Sequence, residues 1–543
     1  MTAPGIEPAG SSTTIGRLLR SSVTVGVGTT LSRVTGLIRT LVLAWALGLT
    51  ELADAYNLAN TTPNVVYDLL LGGVLAATLV PVLVVQVQHD DDDAVSAVLS
   101  VLTTLLVAVT VVAIVAAPLI LRAYTWDLDA AARAAQETVA IPLLRLLLLQ
   151  IVFYGFTTLG SALLNAHRRF ALAAFAPVIN NVIVIGVLIA VPWAAGGFPT
   201  LEQVAGDTGL LLLLGLGTTA GIVAMALVLV PGIVRLPRRL RWNLDWRNPA
   251  VTKILRLSGW TFGYVLSNQI GFVVLLALAI GTEPGAVSAW SYAYLFFQLP
   301  YGLFAVSIMT TFLPELADAH SAGDEPRFAS RFNDGLRLML LVVLPSAIVL
   351  AALALPTIAV LFERGSFDGA STIVTANALA TFAFGLPGFA AYLFAMRGFY
   401  ARTDTRSPFV INAAETAFTL AIAVPLTARF GLTGTVSAFG IGYTVFAVVA
   451  LVALRRRLAT ERGTTPATPG GPPTWRGFVP IAGAGVAMAV VVVGVTSALD
   501  TEGTLMQLVE ILVASGTGAL VYLGVLAALG SHDFAAVRRR LAR

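Results

Sequence analysis

Leu31 to Gly48 reads LSRVTGLIRTLVLAWALG, an apolar run that nevertheless holds Arg33 and Arg39. A bilayer-crossing helix needs about 20 predominantly apolar residues at 1.5 Å rise each, so this run and its flanks form a membrane span. An arginine at bilayer depth costs at least about 2.5–3.5 kcal/mol on insertion scales, and such residues face a polar cavity and mark a functional site. The two arginines are six positions apart, about 120° around a straight helix. Gly36 lies between them, where a helix bends or a neighbouring backbone approaches closely. Two readings follow: a structural ion pair with Asp54 or Asp68 in the next apolar segment, or an anion site in a water-filled cavity.

The rest of the chain extends this reading. Of 543 residues, 57% are hydrophobic and only 11% charged, against about 25% charged in soluble domains. The protein is therefore a polytopic membrane protein. The absence of cysteine removes disulfides, thiolate metal sites and cysteine nucleophiles, and the four histidines show no metal-ligand spacing. The opening MTAPGIEPAGSSTTIGRLLRSS has no apolar core bounded by a cleavage site, so it reads as a cytoplasmic tail.

Hydrophobic stretches predict fourteen spans, at 24–48, 56–86, 94–121, 138–165, 171–194, 208–234, 254–281, 285–316, 335–362, 372–399, 407–427, 431–454, 477–499 and 506–530. With both termini inside, 24 of the 33 basic residues fall in cytoplasmic segments, and four outside, at Arg122, Arg133, Arg364 and Arg429. That partition follows the positive-inside rule, and it accounts for the net charge of +4 without a nucleic-acid partner.

Spans six apart match. APVINNVIVIGVLIAVP in the fifth resembles SPFVINAAETAFTLAIAVP in the eleventh, and AYNLANTTPNVVYDLLLGG in the second resembles AYLFFQLPYGLFAVSIMTTFLP in the eighth. An even offset preserves orientation, so the halves are parallel repeats. Arg455 to Arg476, rich in Pro, Gly and Thr, reads as a flexible linker to an appended pair. The expected fold is an all-α polytopic protein: tail 1–23, N-lobe 24–236, C-lobe 237–454, linker 455–476, helix pair 477–530 and basic tail 531–543.

Polar residues recur at membrane depth. The second span begins with Asp54, Tyr56, Asn57 and Asn60, contains Pro63, and continues to Tyr67 and Asp68; a broken polar helix is tolerated only where it is buried or lines a cavity. Asn180, Asn181, Arg256, Asn268, Gln269, Gln298, Asn412 and Glu415 add to this set. Asparagine and glutamine act as interhelical glue, while Glu415, with no basic residue within a helical turn, is a candidate for ion coupling or for pairing with another span. No Walker, dinucleotide or HExxH motif is present, which argues against an ATP-driven pump or metalloprotease.

SRVTGLIRTLVLAWALG with ADAYNLANTTPNVVYDLLLGGVLAATLVPVLV resembles the opening of the lipid II flippases, the MurJ/MviN family of the multidrug and polysaccharide exporter superfamily. LNAHRRFALAAFAPVINN, YGLFAVSIMTTFLPELA, VLFERGSFDG and RGFYARTDTRSPFVIN look like further hallmarks. The resemblance implies transport without catalysis, so no enzyme. It implies movement of an undecaprenyl-diphosphate-linked peptidoglycan precursor from inner to outer leaflet by alternating access, with a lateral gate between spans one and eight and a tail groove at the last two. It also implies a bacterial cytoplasmic-membrane location, a monomer among membrane lipids, and cell-wall synthesis or division proteins as partners. No cofactor is implied; membrane potential or a monovalent cation would drive transport, with Asp68, Glu415 and Gly36 as gating or coupling positions. Arg33, Arg39 and Asp54 match substrate-cavity residues of the family, and Arg256 joins them as a further cation. Arginine's planar fork suits a diphosphate.

The chain also departs from the family pattern. Tyr67 and Asp68 stand where members commonly have a basic pair, and Leu295 where they often have an arginine. The alternatives are therefore a flippase of another polyprenyl-linked glycan and a non-transporting scaffold for cell-wall synthesis.

Overall fold

The computed structural model describes residues 11–72, 75–237, 240–257, 259–461, 477–499 and 503–530. The first ten residues, most of the expected linker and the basic tail lie outside the described residues. Regular structure among the described residues is helical throughout, as the unbroken apolar runs require in a solvent that satisfies no backbone group.

Among the described residues, twelve helical stretches are long and apolar enough to cross a membrane. Two details reconcile them with the fourteen spans expected. Arg406–Glu461 is two helices joined at Gly431, whose φ of 58° is open mainly to glycine, giving spans eleven and twelve. The second span is divided into Glu51–Tyr67, a π turn at Asp68–Gly72 and Leu75–Gln88, pieces that each fall short of about 20 residues. The remaining spans are Ser11–Leu47, Asp92–Tyr124, Ala130–Ala166, Ala171–Ala195, Thr208–Val234, Gly259–Ile280, Ala286–Ser321, Glu325–Ala352, Gly369–Tyr400, Val479–Leu499 and Thr504–Ala528. The seventh begins later than expected, because Pro249–Leu257 is a separate short helix.

The chain divides into two compact units. Unit 1 holds Met1–Ala46, Leu58–Leu121 and Ala134–Phe262; unit 2 holds Leu47–Asn57, Arg122–Arg133 and Gly263–Arg543. The division runs through the second helix at Asn57, and places its start with the C-terminal half of the chain.

Within unit 1, the first span packs on the fifth. A Cβ on Gly28 would sit 2.8 Å from the Ala174 Cβ, so the helices touch there through small residues. Seven residues on, Asn181 Nδ2 donates to the Ser32 carbonyl at 3.1 Å and to Thr35 Oγ1 at 3.0 Å. Unit 2 repeats the device. Asn412, in the eleventh span, donates from Nδ2 to the Tyr264 carbonyl of the seventh span at 3.3 Å, while its Oδ1 accepts from the Tyr392 hydroxyl at 3.0 Å. Thus span five is tied to span one by Asn181, the residue after its VIN sequence, and span eleven to span seven by Asn412, the asparagine of the matching VIN.

The second and eighth spans share another irregularity. Each contains a proline, Pro63 or Pro300, and each passes into a five-residue π turn, Asp68–Gly72 or Tyr301–Ala305. Proline removes an amide donor and crowds the preceding turn, and a π turn accommodates such a disruption, often at functional sites.

Unit 2 has an aromatic core in which Phe382, Phe297, Phe389, Tyr443 and Trp290 surround Phe439. Spans ten and twelve meet beside it with almost no side chain between them: a Cβ on Gly385 would lie 2.6 Å from the Gly440 Cα. The last two spans pack on the ninth through Leu341, Met488, Val492, Ala514 and Tyr522, and the buried Tyr522 hydroxyl donates to the Leu341 carbonyl at 2.9 Å.

Candidate functional site

In unit 1 the site starts with span one. Gly28, Ser32, Thr35 and Arg39 fall on one stripe of a 3.6-residue helix, and the Asn181 bonds fix that stripe against span five. A Cβ on Gly36 would lie in ordinary contact, 3.6 Å from Asn181 Nδ2, so Gly36 faces this junction. Arg33 is exposed and Arg39 half-buried, and neither has an ion pair or hydrogen bond with any described residue. Of the two readings of these arginines, the structural pair with an aspartate is therefore not realised. Their guanidinium groups keep all their donors for an anion.

Tyr67, one of the positions lacking the expected cation, is fixed elsewhere in unit 1. Its hydroxyl shares a 2.6 Å hydrogen bond with Thr158 Oγ1, and its ring meets that of Tyr154 at 5.7 Å. Asp68 follows it as the first residue of the π turn. Arg256 lies exposed on the short helix Pro249–Leu257, outside the seventh span.

In unit 2, Asp54 takes a role that sequence reasoning missed. The segment Leu47–Asn57 places its carboxylate, 0% exposed, at the N-terminus of span eight. Asp54 Oδ2 accepts from the Gly285 amide at 2.9 Å, and Oδ1 accepts from the Ser288 amide at 2.8 Å and hydroxyl at 2.7 Å. Asn57 Nδ2 adds a 2.9 Å donation to Ser288 Oγ. The cap residue Gly285 has no side chain to satisfy these amides, and it cannot carry one. Its φ is +85°, and a Cβ would lie 2.5–2.7 Å from Leu49 atoms. Asp54 therefore caps another span's helix in trans, its carboxyl oxygens accepting from amides at the positive end of the helix dipole. The GTEPGAVS turn, a helix start with glycine where a polar cap normally sits, is the signal that could have pointed to Gly285 and Ser288. Asn57 stands among the polar residues that open the second span, but nothing local pointed to Ser288 as its partner.

Glu415 is also in unit 2, 3% exposed on the eleventh span. Its Oε1 accepts from Thr419 Oγ1 at 2.7 Å and its Oε2 from Thr416 Oγ1 at 3.5 Å, with no cationic side chain paired to it among the described residues. Gly442 of span twelve leaves the necessary room, since a Cβ there would come 3.0 Å from Glu415 Oε1. The described residues include no cluster of three or more metal-ligating side chains.

The comparisons with known proteins bear on this arrangement. The family model described as "Lipid II flippase MurJ" matches residues 43–514. A lipid II flippase MurJ of Burkholderia cenocepacia is 30% identical over 485 residues, covering 87% of this chain and 89% of the relative. A probable lipid II flippase MurJ of Rhizobium meliloti is 29% identical over 430 residues, covering 78% and 77%. Among solved structures, a lipid II flippase MurJ in an inward closed conformation superposes with a TM-score of 0.73 at 22% identity, covering 96% of this chain and all of that one. An inward-facing multidrug transporter of the MATE family superposes at 0.65 and 16% identity, covering 79% and 96%.

Proposed function

The chain belongs to the MurJ family of lipid II flippases, and from that premise we propose that it carries the undecaprenyl-diphosphate-linked peptidoglycan precursor from the inner to the outer leaflet of a bacterial cytoplasmic membrane. It is a multi-pass transporter, and transport proceeds by alternating access with both termini in the cytoplasm. The observation that carries this reading is the pair of guanidinium groups, Arg33 and Arg39, without a partner among the described residues, on a membrane-spanning helix held in place by Asn181. An arginine at bilayer depth with no anion is costly; a diphosphate supplies the missing charge in a geometry the planar fork matches.

Asp54 acts in this scheme as a gate residue, not as a substrate contact, because its carboxylate bonds go to span eight. Glu415 is the carboxylate for coupling to a cation or proton; its burial beside two hydroxyl groups and away from basic side chains supports that role. The missing cations at Tyr67, Asp68 and Leu295 leave Arg33 and Arg39 with most of the headgroup recognition.

The test is complementation of a strain depleted of its own flippase. Arg39→Ala is expected to abolish growth while membrane levels stay normal, and Arg39→Lys to restore it in part. Full complementation by Arg39→Ala would leave Arg39 without a transport role. Thermal stabilisation of the purified protein by lipid II, compared with other polyprenyl-linked glycans, decides the substrate: equal stabilisation by all would overturn lipid II selectivity.

A further inference from the structure

Between spans six and seven the chain leaves Val234 and returns at Gly259 through a segment rich in both arginine and tryptophan. Leu240 to Asp245 is non-helical, and two alternate amides hold it to span three. Arg241 N donates to Ser96 Oγ at 3.1 Å, and Asn243 N to Ser100 Oγ at 3.0 Å. The spacing explains the fit: two residues of extended chain advance about 6.6 Å, and four residues of helix about 6.0 Å. Both serines are buried, at 2% and 4% exposure, so these bonds fix the strap to a rigid element.

Along this strap Trp242, Leu244 and Trp246 are exposed, the tryptophans at 66% and 46%. Arg241 and Arg247 are exposed too, and Asp245 spends one carboxylate oxygen on the Arg247 amide at 3.0 Å. The helix that follows, Pro249–Leu257, is amphipathic. Ala250, Val251 and Ile254 are buried where it packs on Leu75–Gln88, whereas Lys253 and Arg256 point to the exposed side. None of Arg241, Arg247, Lys253 and Arg256 forms an ion pair with a described residue.

We propose that this strap and helix form a binding surface for anionic phospholipid headgroups of the cytoplasmic leaflet. Trp242 and Trp246 enter the headgroup layer, and Arg241, Arg247, Lys253 and Arg256 meet the phosphates. Charge complementarity selects this occupant. The segment lies on the side where Lys and Arg collect, between two spans that hold it near the bilayer surface. Tryptophan with adjacent arginine is the composition that the membrane interface favours, and basic clusters beside a span are drawn to anionic lipid. A soluble protein partner would require an apolar patch facing water, which the flanking spans oppose. The inference does not depend on the transported substrate, and it gives Arg256 a place at the membrane surface.

The full-length protein in lipid nanodiscs tests it. Discs of phosphatidylcholine mixed with phosphatidylglycerol, followed by native mass spectrometry, report retained anionic lipid. Neutralising Arg241, Arg247, Lys253 and Arg256 to glutamine is expected to weaken retention by roughly fivefold per charge removed, and added salt to weaken it in the wild type. Independently, headgroup-proximal brominated lipids are expected to quench wild-type fluorescence more than that of the W242F/W246F double variant. Unchanged retention in the glutamine variant, or equal quenching in the two proteins, would overturn the proposal; the second outcome would place the tryptophans in water, free for an aqueous partner.

Discussion

Asp54 shows what a single residue contributes and why its partners were hidden. An acid at the start of a span is visible in the sequence, and two arginines nearby made an ion pair the natural expectation. Its actual partners are two amides and a hydroxyl, 231 and 234 positions away, and backbone donors carry no sequence signature. Asp54→Asn turns one acceptor oxygen into a donor facing donors. It is expected to cost about 2–3 kcal/mol, read as a lower melting temperature together with lost complementation. Ser288→Ala removes one donor and is expected to cost about 1 kcal/mol. The double variant should cost less than the sum, because both changes break the same bond; full additivity in thermal melts would show that the two residues act separately. Arg33 and Arg39, by contrast, were legible, since charge inside an apolar run is the strongest signal such a chain offers.

At the scale of elements, span number and repeat were readable from apolar runs and the VIN matches, but the local breaks were not. Pro63 and Pro300 are visible in the sequence, yet where the helix widens depends on its neighbours. Pro300→Ala restores an amide and favours a regular helix through Tyr301–Ala305. The expected result is unchanged or raised thermal stability with reduced complementation; normal growth would show that the wide turn is dispensable. The turn between spans ten and eleven offers a pH test. Asp404 accepts from the Arg406 and Ser407 amides and pairs with Arg457. Burial pulls its carboxyl upward, but the Ser407 bonds and Arg457 outweigh it and hold the group below its ordinary value of 3.8. A depressed carboxyl stabilises the fold above that value, and the contribution disappears as pH falls through the depressed one. Asp404→Asn keeps an acceptor for the two amides but loses the charge that pairs with Arg457, so it should melt lower than wild type at neutral pH, by up to about 1 kcal/mol, and the gap should close in strong acid. Constant spacing between the two melting curves across pH would refute this.

For the whole molecule, packing groups Leu47–Asn57 and Arg122–Arg133 with Gly263–Arg543 in unit 2. Composition marks where a chain leaves the membrane, not which packed body a segment joins; that depends on partners far away in sequence. The last two spans illustrate the same point. They read as an appended pair, yet Tyr522 satisfies a carbonyl of span nine and the pair covers Leu341 and Leu344. Truncation after Glu461 is expected to lower both membrane yield and melting temperature, and normal levels of a stable truncated protein would make the pair a separable module. One further consequence follows from the cap that Asp54 supplies to span eight. Because the cap residue is glycine and belongs to a different segment from the carboxylate, any state that separates them leaves polar groups on both sides requiring new partners, and water is the available one. Departure of Asp54 is therefore a hydration event, which makes the equilibrium sensitive to water activity. Osmotic stress from excluded solutes should favour the capped arrangement in the wild type and lose most of that effect in Asp54→Asn, measurable as a shift in the distance between spin labels on Leu49 and Glu283.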